Sequence, residues 1–218
     1  MKSIRTIFFD LDGTIVNTEP SAALAIEQCF KEWGVRMDKQ DAHFINGRKW
    51  DAAFAYLFRK YRMPIPQARA AAEIQARYRK LLQSQLGVIA GAPEAVRKLA
   101  EVYPLGLVSG SNREEILWAL GKLDLTSCFK VILGAEDYPD SKPAPDGYLM
   151  GLKLLGAKAD ETLVFEDSHA GIASGRNAGL WVVGIRAANY LGQDQSLAHE
   201  IVEDFTSIDV SWVNSRVF

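Results

Sequence analysis

Apolar residues follow two rhythms along this chain, and the change from one to the other divides it. Near the start, Ile7, Phe8, Phe9 and Leu11 form an apolar run of the kind found in a strand buried on both faces of a parallel sheet. From Pro20 to Trp33 the apolar positions are Ala23, Leu24, Ile26, Phe30 and Trp33, a helical spacing closed by Gly34. The spacing predicts a second helix over Trp50 to Tyr61, stopped by Met63-Pro64-Ile65-Pro66, and a third over Gln67 to Gln85. No strand-like run interrupts residues 17–86. The expectation is a small helical domain, residues 17–87, inserted between the first and second strands of a core made of residues 1–16 and 88–218.

From Gly87 the rhythm alternates. Helices are predicted over Ala92–Val102, Arg113–Leu123, Asp146–Leu155 and His169–Ala178, the last closed by Gly179. Between them Leu105–Ser109, Lys130–Leu133, Thr162–Phe165 and Trp181–Ile185 read as strands. Strands alternating with helices imply an α/β fold, a parallel sheet with helices on both faces. The tail beyond Leu191 is weakly patterned, with a last short helix predicted over Ile208–Val213. Internal repeats and low-complexity segments are absent from the sequence.

Composition narrows the functional classes. The chain is 48% hydrophobic and 24% charged, the balance of an ordinary globular protein. A formal net charge of −2 argues against a nucleic-acid-binding surface. No run of eighteen apolar residues is present to cross a membrane. Met1-Lys2-Ser3-Ile4-Arg5 leads straight into the first strand, so no signal peptide is expected. Cys29 and Cys128 lie far apart and form no CxxC pair, which fits a reducing cytoplasm with both thiols as small core hydrophobes. His43, His169 and His199 lack metal-ligand spacing and read as surface or capping residues, which makes zinc chemistry a poor fit.

The informative chemistry sits where apolar runs stop. Asp10 and Asp12 are two apart in Asp10-Leu11-Asp12-Gly13-Thr14, so on a strand they would point the same way. At the carboxyl end of a buried parallel strand, where ligands of open α/β sheets bind, two carboxylates repel unless a cation neutralises them. Mg²⁺, a hard ion that takes oxygen ligands, is the natural candidate. Ser109, Lys142 and Glu166-Asp167 also stand at strand or loop ends. Each has a plain alternative: Ser109-Gly110-Ser111-Asn112 as a helix N-cap, Lys142 as a solvated loop lysine, Glu166-Asp167-Ser168 as acidic residues at a helix N-terminus. The sheet would nevertheless gather all of them on one edge. Carboxylates, a hydroxyl, backbone N–H groups and an ammonium in one crevice suit phosphoryl transfer.

In order and spacing, Asp10-Leu11-Asp12-Gly13-Thr14, Ser109, Lys142 and Glu166-Asp167 resemble the four motifs of the haloacid dehalogenase-like (HAD) superfamily. Ser141-Lys142-Pro143-Ala144-Pro145-Asp146 and Glu166-Asp167-Ser168-His169-Ala170-Gly171-Ile172 are similar to its β-phosphoglucomutase and sugar-phosphatase branch. The resemblance implies a Rossmann-like core with an α-helical cap. It further implies Asp10 as nucleophile and Asp12 as general acid/base. Mg²⁺ would be bound by Asp10, the Asp12 carbonyl and Asp167, with Glu166 supporting it directly or through water. Ser109, Gly110 and Lys142 would hold the phosphoryl group.

Dehalogenases of this superfamily lack a second aspartate at the position of Asp12, which sets carbon–halogen chemistry aside. Phosphonatases need a cap lysine, for which Lys31 and Lys49 are the candidates. β-Phosphoglucomutases carry a histidine ten residues after the general acid/base; here that position is Ala22, and the stretch Asn46-Gly47-Arg48-Lys49-Trp50-Asp51 departs from the mutase pattern as well. Losing groups that close a cap over an intermediate favours hydrolysis. The expectation is a cytoplasmic, monomeric Mg²⁺-dependent phosphatase of a small phosphorylated metabolite, a sugar or polyol, with a phosphomutase as the alternative and a non-catalytic phosphate-binding protein as a third reading. Arg48, Lys49, Trp50 and Arg77 are the substrate-contact candidates in the cap, against a plain reading of the same residues as an amphipathic helical surface with Trp50 as packing.

Overall fold

A computed structural model of the chain describes residues 3–38, 41, 50–189 and 192–216. In chain order the elements are β1 (Thr6–Phe9), β2 (Val16–Asn17), α1 (Glu19–Glu32), α2 (Trp50–Lys60), α3 (Gln67–Ser84), β3 (Gly87–Val88), α4 (Ala92–Ala100), β4 (Leu105–Val108), α5 (Arg113–Lys122), β5 (Phe129–Leu133), α6 (Asp146–Leu155), β6 (Thr162–Glu166), α7 (His169–Asn177), β7 (Trp181–Ile185), β8 (Glu200–Val202) and α8 (Val210–Asn214). Two compact units result, one of residues 1–17 and 88–218, the other of residues 18–87.

The first unit is built on a six-stranded sheet in the order β5-β4-β1-β6-β7-β8, with every pairing parallel. The chain builds outward from β1 through β4 to β5, then returns to lay β6, β7 and β8 on the other side. The reversal falls between β1 and β6, and in such a sheet the crevice beyond the carboxyl ends at that point is where ligands bind. All four residues of β1 are buried, as its continuous apolar run predicts. Its successive side chains serve opposite faces. Phe8 joins Val108, Leu133, Tyr148, Leu152 and Val164 on one side. On the other, Phe9 meets Phe129, Phe165 and Phe205 at ring-centroid distances of 6.0, 5.1 and 5.9 Å. Burying each phenylalanine contributes roughly 1.5–3 kcal/mol relative to exposure.

Several boundaries differ from the sequence pattern. The helix expected to reach Val102 ends at Ala100, where Val102 and Tyr103 N–H groups both turn back to the Leu99 carbonyl ahead of Pro104, a residue that disfavours helix just before it. The last helix is Val210–Asn214, capped by the Asp209 side chain accepting from Trp212 N–H, rather than Ile208–Val213. The tail also contributes an edge strand, β8, which three residues of mixed exposure do not announce.

In the second unit α1 and α3 pack together around Ala25, Ile26, Cys29, Phe30, Phe54, Leu57 and Ile74. Cys29 is buried there, as expected of a core thiol. A polar knot lies beside this core. Asp41, 3% exposed, accepts hydrogen bonds from Tyr56 Oη at 2.6 Å and Lys60 Nζ at 2.9 Å, and from Tyr61 Oη. Burial alone would raise the Asp41 pKa, but the bonds from Lys60, Tyr56 and Tyr61 outweigh it and hold the carboxyl at about 2. A carboxyl held below its unfolded value stabilises the fold at pH above the ordinary carboxylate range, and that contribution is lost as pH falls through its folded pKa. Asp41→Asn is therefore expected to cost about 1–3 kcal/mol at pH 7. Chemical denaturation should show the gap between wild type and variant narrowing from pH 5 toward pH 2; a gap that stays constant across that range would contradict the assignment.

Candidate active site

Asp10 follows β1 directly, its N–H donating to the Phe165 carbonyl of neighbouring β6 at 3.0 Å. The register that pairs Phe9 with Phe165 therefore sets Asp10 beside Glu166. After Asp10 the chain turns sharply: Ile15 and Val16 N–H groups return to the Leu11 carbonyl, and Gly13 N–H reaches Val16 O at 2.7 Å. Gly13 has φ +81°, a conformation glycine adopts without a steric penalty. A methyl group there would also stand 2.1 Å from Asp167 Oδ2. Glycine at this position thus serves both the turn and the approach of a carboxylate. Thr14 Oγ1 lies 3.5 Å from Asp167 Oδ1.

Lys142 binds the cluster together. Its ammonium donates to Asp10 Oδ1 at 2.6 Å, to Glu166 Oε1 at 2.5 Å and to the Val108 carbonyl at 3.0 Å, which matches its three N–H bonds. Glu166 Oε1 also accepts from the buried Tyr148 hydroxyl at 2.8 Å. Glu166 is fully buried, and Gly171 makes room for it, since a methyl group there would overlap the carboxylate. Burial drives the Asp10 carboxyl well above its ordinary pKa, with Glu166 and Asp12 adding to the rise and Lys142 opposing it. Burial would lower Lys142, but the facing Asp10 and Glu166 carboxylates prevail and raise it.

Asp10, Glu166 and Asp167 offer ligand oxygens that all lie within 4.8 Å of one another. Three carboxyl groups gather around one ammonium in a buried crevice, and every ligand atom they offer is oxygen. The set fits a hard divalent cation.

Ser109 follows β4 directly and is buried, with its N–H on the Leu133 carbonyl and its own carbonyl accepting from Tyr138 Oη at 2.8 Å. Ser109 Oγ accepts from Ser111 N–H at 3.0 Å, and Ser111 Oγ donates to Asp12 Oδ2 at 2.6 Å. The helix-capping part expected within Ser109–Asn112 falls to Asn112, whose side chain accepts from Glu115 N–H. Gly110 is exposed, with open space where a side chain would project. Within Glu166-Asp167-Ser168 the cap of the helix that follows is Ser168, whose side chain accepts from Gly171 N–H.

The core candidates thus fall into two linked groups: Asp10, Lys142, Glu166 and Asp167 in one cluster, and Asp12 tied to Ser109 through Ser111. The candidates in the helical unit stand differently. Arg48 and Lys49 lie outside the described residues, as does His43. Trp50 packs against Phe54 and Tyr78, each at 5.2 Å between ring centroids, so packing accounts for it. Arg77 forms a two-pronged ion pair with Glu32 at 2.6 and 2.7 Å, which engages its guanidinium within its own unit. Sequence reasoning missed Tyr148, Tyr138 and Ser111. A tyrosine six residues beyond Lys142 carries a weak signal, and Ser111 sat inside a motif already singled out.

Against known proteins, the sequence model described as haloacid dehalogenase-like hydrolase matches residues 7–185. Pyrophosphatase PpaX of Listeria monocytogenes is 30% identical over 187 residues, covering 84% of this chain and 83% of that protein. Fructose-1-phosphate phosphatase YqaB of Escherichia coli is 29% identical, covering 83% and 95%. Among solved structures, the β-phosphoglucomutase of Clostridium difficile aligns with a TM-score of 0.76 over 97% of this chain and 96% of its own, at 21% identity. That likeness is one of fold.

Removing the ammonium would strand two buried carboxylates. Lys142→Met is expected to destabilise the protein by about 3–5 kcal/mol at pH 7 in urea denaturation with a chelator present, and the loss should shrink at acidic pH as the orphaned carboxyls take up protons. A loss under about 1 kcal/mol would show that the ion pairs are not structural.

Proposed function

Because the chain belongs to the haloacid dehalogenase-like hydrolases, we propose that it is a Mg²⁺-dependent phosphatase that hydrolyses a small phosphorylated metabolite through an aspartyl-phosphate. The observation that carries the reading is the Lys142 ammonium joined to both Asp10 and Glu166, with Asp167 within ligand reach of both. Asp10 attacks phosphorus, one carboxylate oxygen forming the new O–P bond as the ester O–P bond breaks. Lys142 offsets charge on Asp10 and the phosphoryl oxygens, assisted by the Ser109 hydroxyl and the Gly110 N–H. Asp12, oriented by Ser111 Oγ, gives its proton to the leaving oxygen. It then takes a proton from the water that attacks the acyl phosphate, releasing inorganic phosphate and restoring Asp10.

Asp10, Asp167 and the Asp12 carbonyl would hold Mg²⁺, with Glu166 supporting it. When bound, the ion offsets the negative charge of nucleophile and phosphate and so lets two anions meet. A phosphorylated sugar or polyol is the substrate class favoured by the fructose-1-phosphate phosphatase among the relatives. The pyrophosphatase relative indicates how little the core motifs say about the leaving group. Hydrolysis is favoured over phosphomutase chemistry because Ala22 stands where a mutase has a histidine.

Wild-type protein should hydrolyse p-nitrophenyl phosphate with Mg²⁺ and stop when a chelator is added. Asp10→Asn should lose at least about a thousandfold in kcat; equal rates would remove Asp10 from its role. Given β-glucose 1-phosphate and glucose 1,6-bisphosphate, the protein should release free phosphate, and accumulation of glucose 6-phosphate instead would favour the mutase.

A further inference from the structure

The parallel ladder between β6 and β7 runs out at the pair Glu166–Gly184. One residue further along each strand, the carbonyls of Asp167 and Ile185 are bridged by the side chain of Gln195. Its Nε2 donates to Asp167 O at 2.6 Å and to Ile185 O at 2.8 Å. A primary amide has two N–H bonds on one planar nitrogen, and both are used here. Gln195 is 5% exposed, and a buried polar side chain this far from the chemistry-bearing motifs calls for a reason.

The neighbouring residues fasten to the same place. Gln193 Oε1 accepts from the His169 N–H at 3.2 Å, and the Asp194 carbonyl lies 2.9 Å from His169 Nδ1, which makes Nδ1 the protonated ring nitrogen. Asn189 and Gln193 exchange two hydrogen bonds, at 2.9 and 2.7 Å. Gln193 and Gln195 therefore bind the main chain on both sides of Ser168, at the point where β6 gives way to α7.

Asp167 is held from two directions. Its carboxylate fills the space that the missing Gly13 side chain leaves, and its carbonyl is anchored by Gln195. We infer that Gln195 is a positioning residue for the cation site: by fixing the Asp167 peptide it aims the Asp167 carboxylate at the oxygens of Asp10 and Glu166. The inference rests on the divalent-cation reading above. Partners that orient a metal ligand without touching the metal typically account for about ten- to a hundredfold in affinity. Without the amide, two carbonyls at the strand ends lose their donor, the peptide can rotate, and the carboxylate rotates with it.

The test uses Gln195→Met, which keeps the length and removes both donors, with Asn189→Ala as a variant that loosens the same segment and leaves the Asp167 bond in place. Mg²⁺ binding is measured by titration calorimetry on the full-length proteins, alongside melting temperature in chelator and p-nitrophenyl phosphate hydrolysis at several Mg²⁺ concentrations. Gln195→Met should weaken Mg²⁺ binding about tenfold and raise the Mg²⁺ concentration for half-maximal rate in parallel, with kcat at saturating Mg²⁺ within a few fold of wild type. Asn189→Ala should leave Mg²⁺ affinity unchanged within about twofold, whatever it does to the melting temperature. If Gln195→Met fails to fold, Gln195→Asn, too short to reach both carbonyls, is read in its place. A lowered melting temperature with unchanged Mg²⁺ affinity overturns the inference, as does an equal loss of affinity in Asn189→Ala. Wild type that binds no Mg²⁺ overturns the cation reading together with it, whereas wild-type binding matched by Gln195→Met overturns the Gln195 assignment alone.

Discussion

Asp10, Glu166 and Asp167 crowd three carboxylates into a space where water cannot screen them, and the surrounding structure is arranged to tolerate that repulsion. Lys142 spends all three of its N–H bonds there, two on carboxylates and one on the Val108 carbonyl. Tyr148 adds a neutral donor to the same oxygen of Glu166. The raised Asp10 pKa follows first from burial, with the Glu166 and Asp12 carboxylates adding to the rise against the pull of Lys142. The same crowding of buried oxygen donors is what a hard divalent cation would fit. Binding of such an ion would return free energy to the fold by mass action, so stability and cation occupancy are coupled through these side chains.

Much of this was legible in the sequence, and the reasons are physical. A strand that is apolar throughout has one place for charges, its end; that rule located Asp10 and Glu166-Asp167. The alternation of periods after Gly87 located the helices and strands of the sheet within a residue or two. What escaped had no periodic or compositional trace. β8 is three residues long at a sheet edge. Gln195 lies in a tail without pattern and acts through an amide that bonds main chain, which any sequence position could supply. Tyr148 reads as an ordinary apolar position of α6 until its hydroxyl is seen under Glu166. In the helical unit Trp50 packs against Phe54 and Tyr78, and Arg77 pairs with Glu32. A motif built on chemistry survives translation into sequence better than a surface built on shape.

The core and the helical unit carry different kinds of information. Matches to a pyrophosphatase and to a fructose-1-phosphate phosphatase share the fold and the phosphoryl chemistry while their named substrates have little else in common. In the proposed reading, carboxylates, a lysine and a serine at strand ends would recognise what all phosphoesters possess. Discrimination among leaving groups has to reside elsewhere, since function is grafted onto a fold site by site.

Behind the site, the ring of Phe8 occupies space that two other elements give up. A methyl group on Gly106 of β4 would lie 2.1 Å from that ring, and one on Gly151 of α6 would lie 2.7 Å from it. Gly151 sits one helical turn after Tyr148, whose own ring meets Phe8 edge-on at 5.9 Å. The three positions therefore share a single allotment of volume and can change only in concert. A smaller residue at 8 would let α6 settle toward the sheet, carrying with it the phenol that steadies Glu166. A change of volume at Phe8, far from solvent, would in this way retune the electrostatics of the crevice without altering a single charged residue.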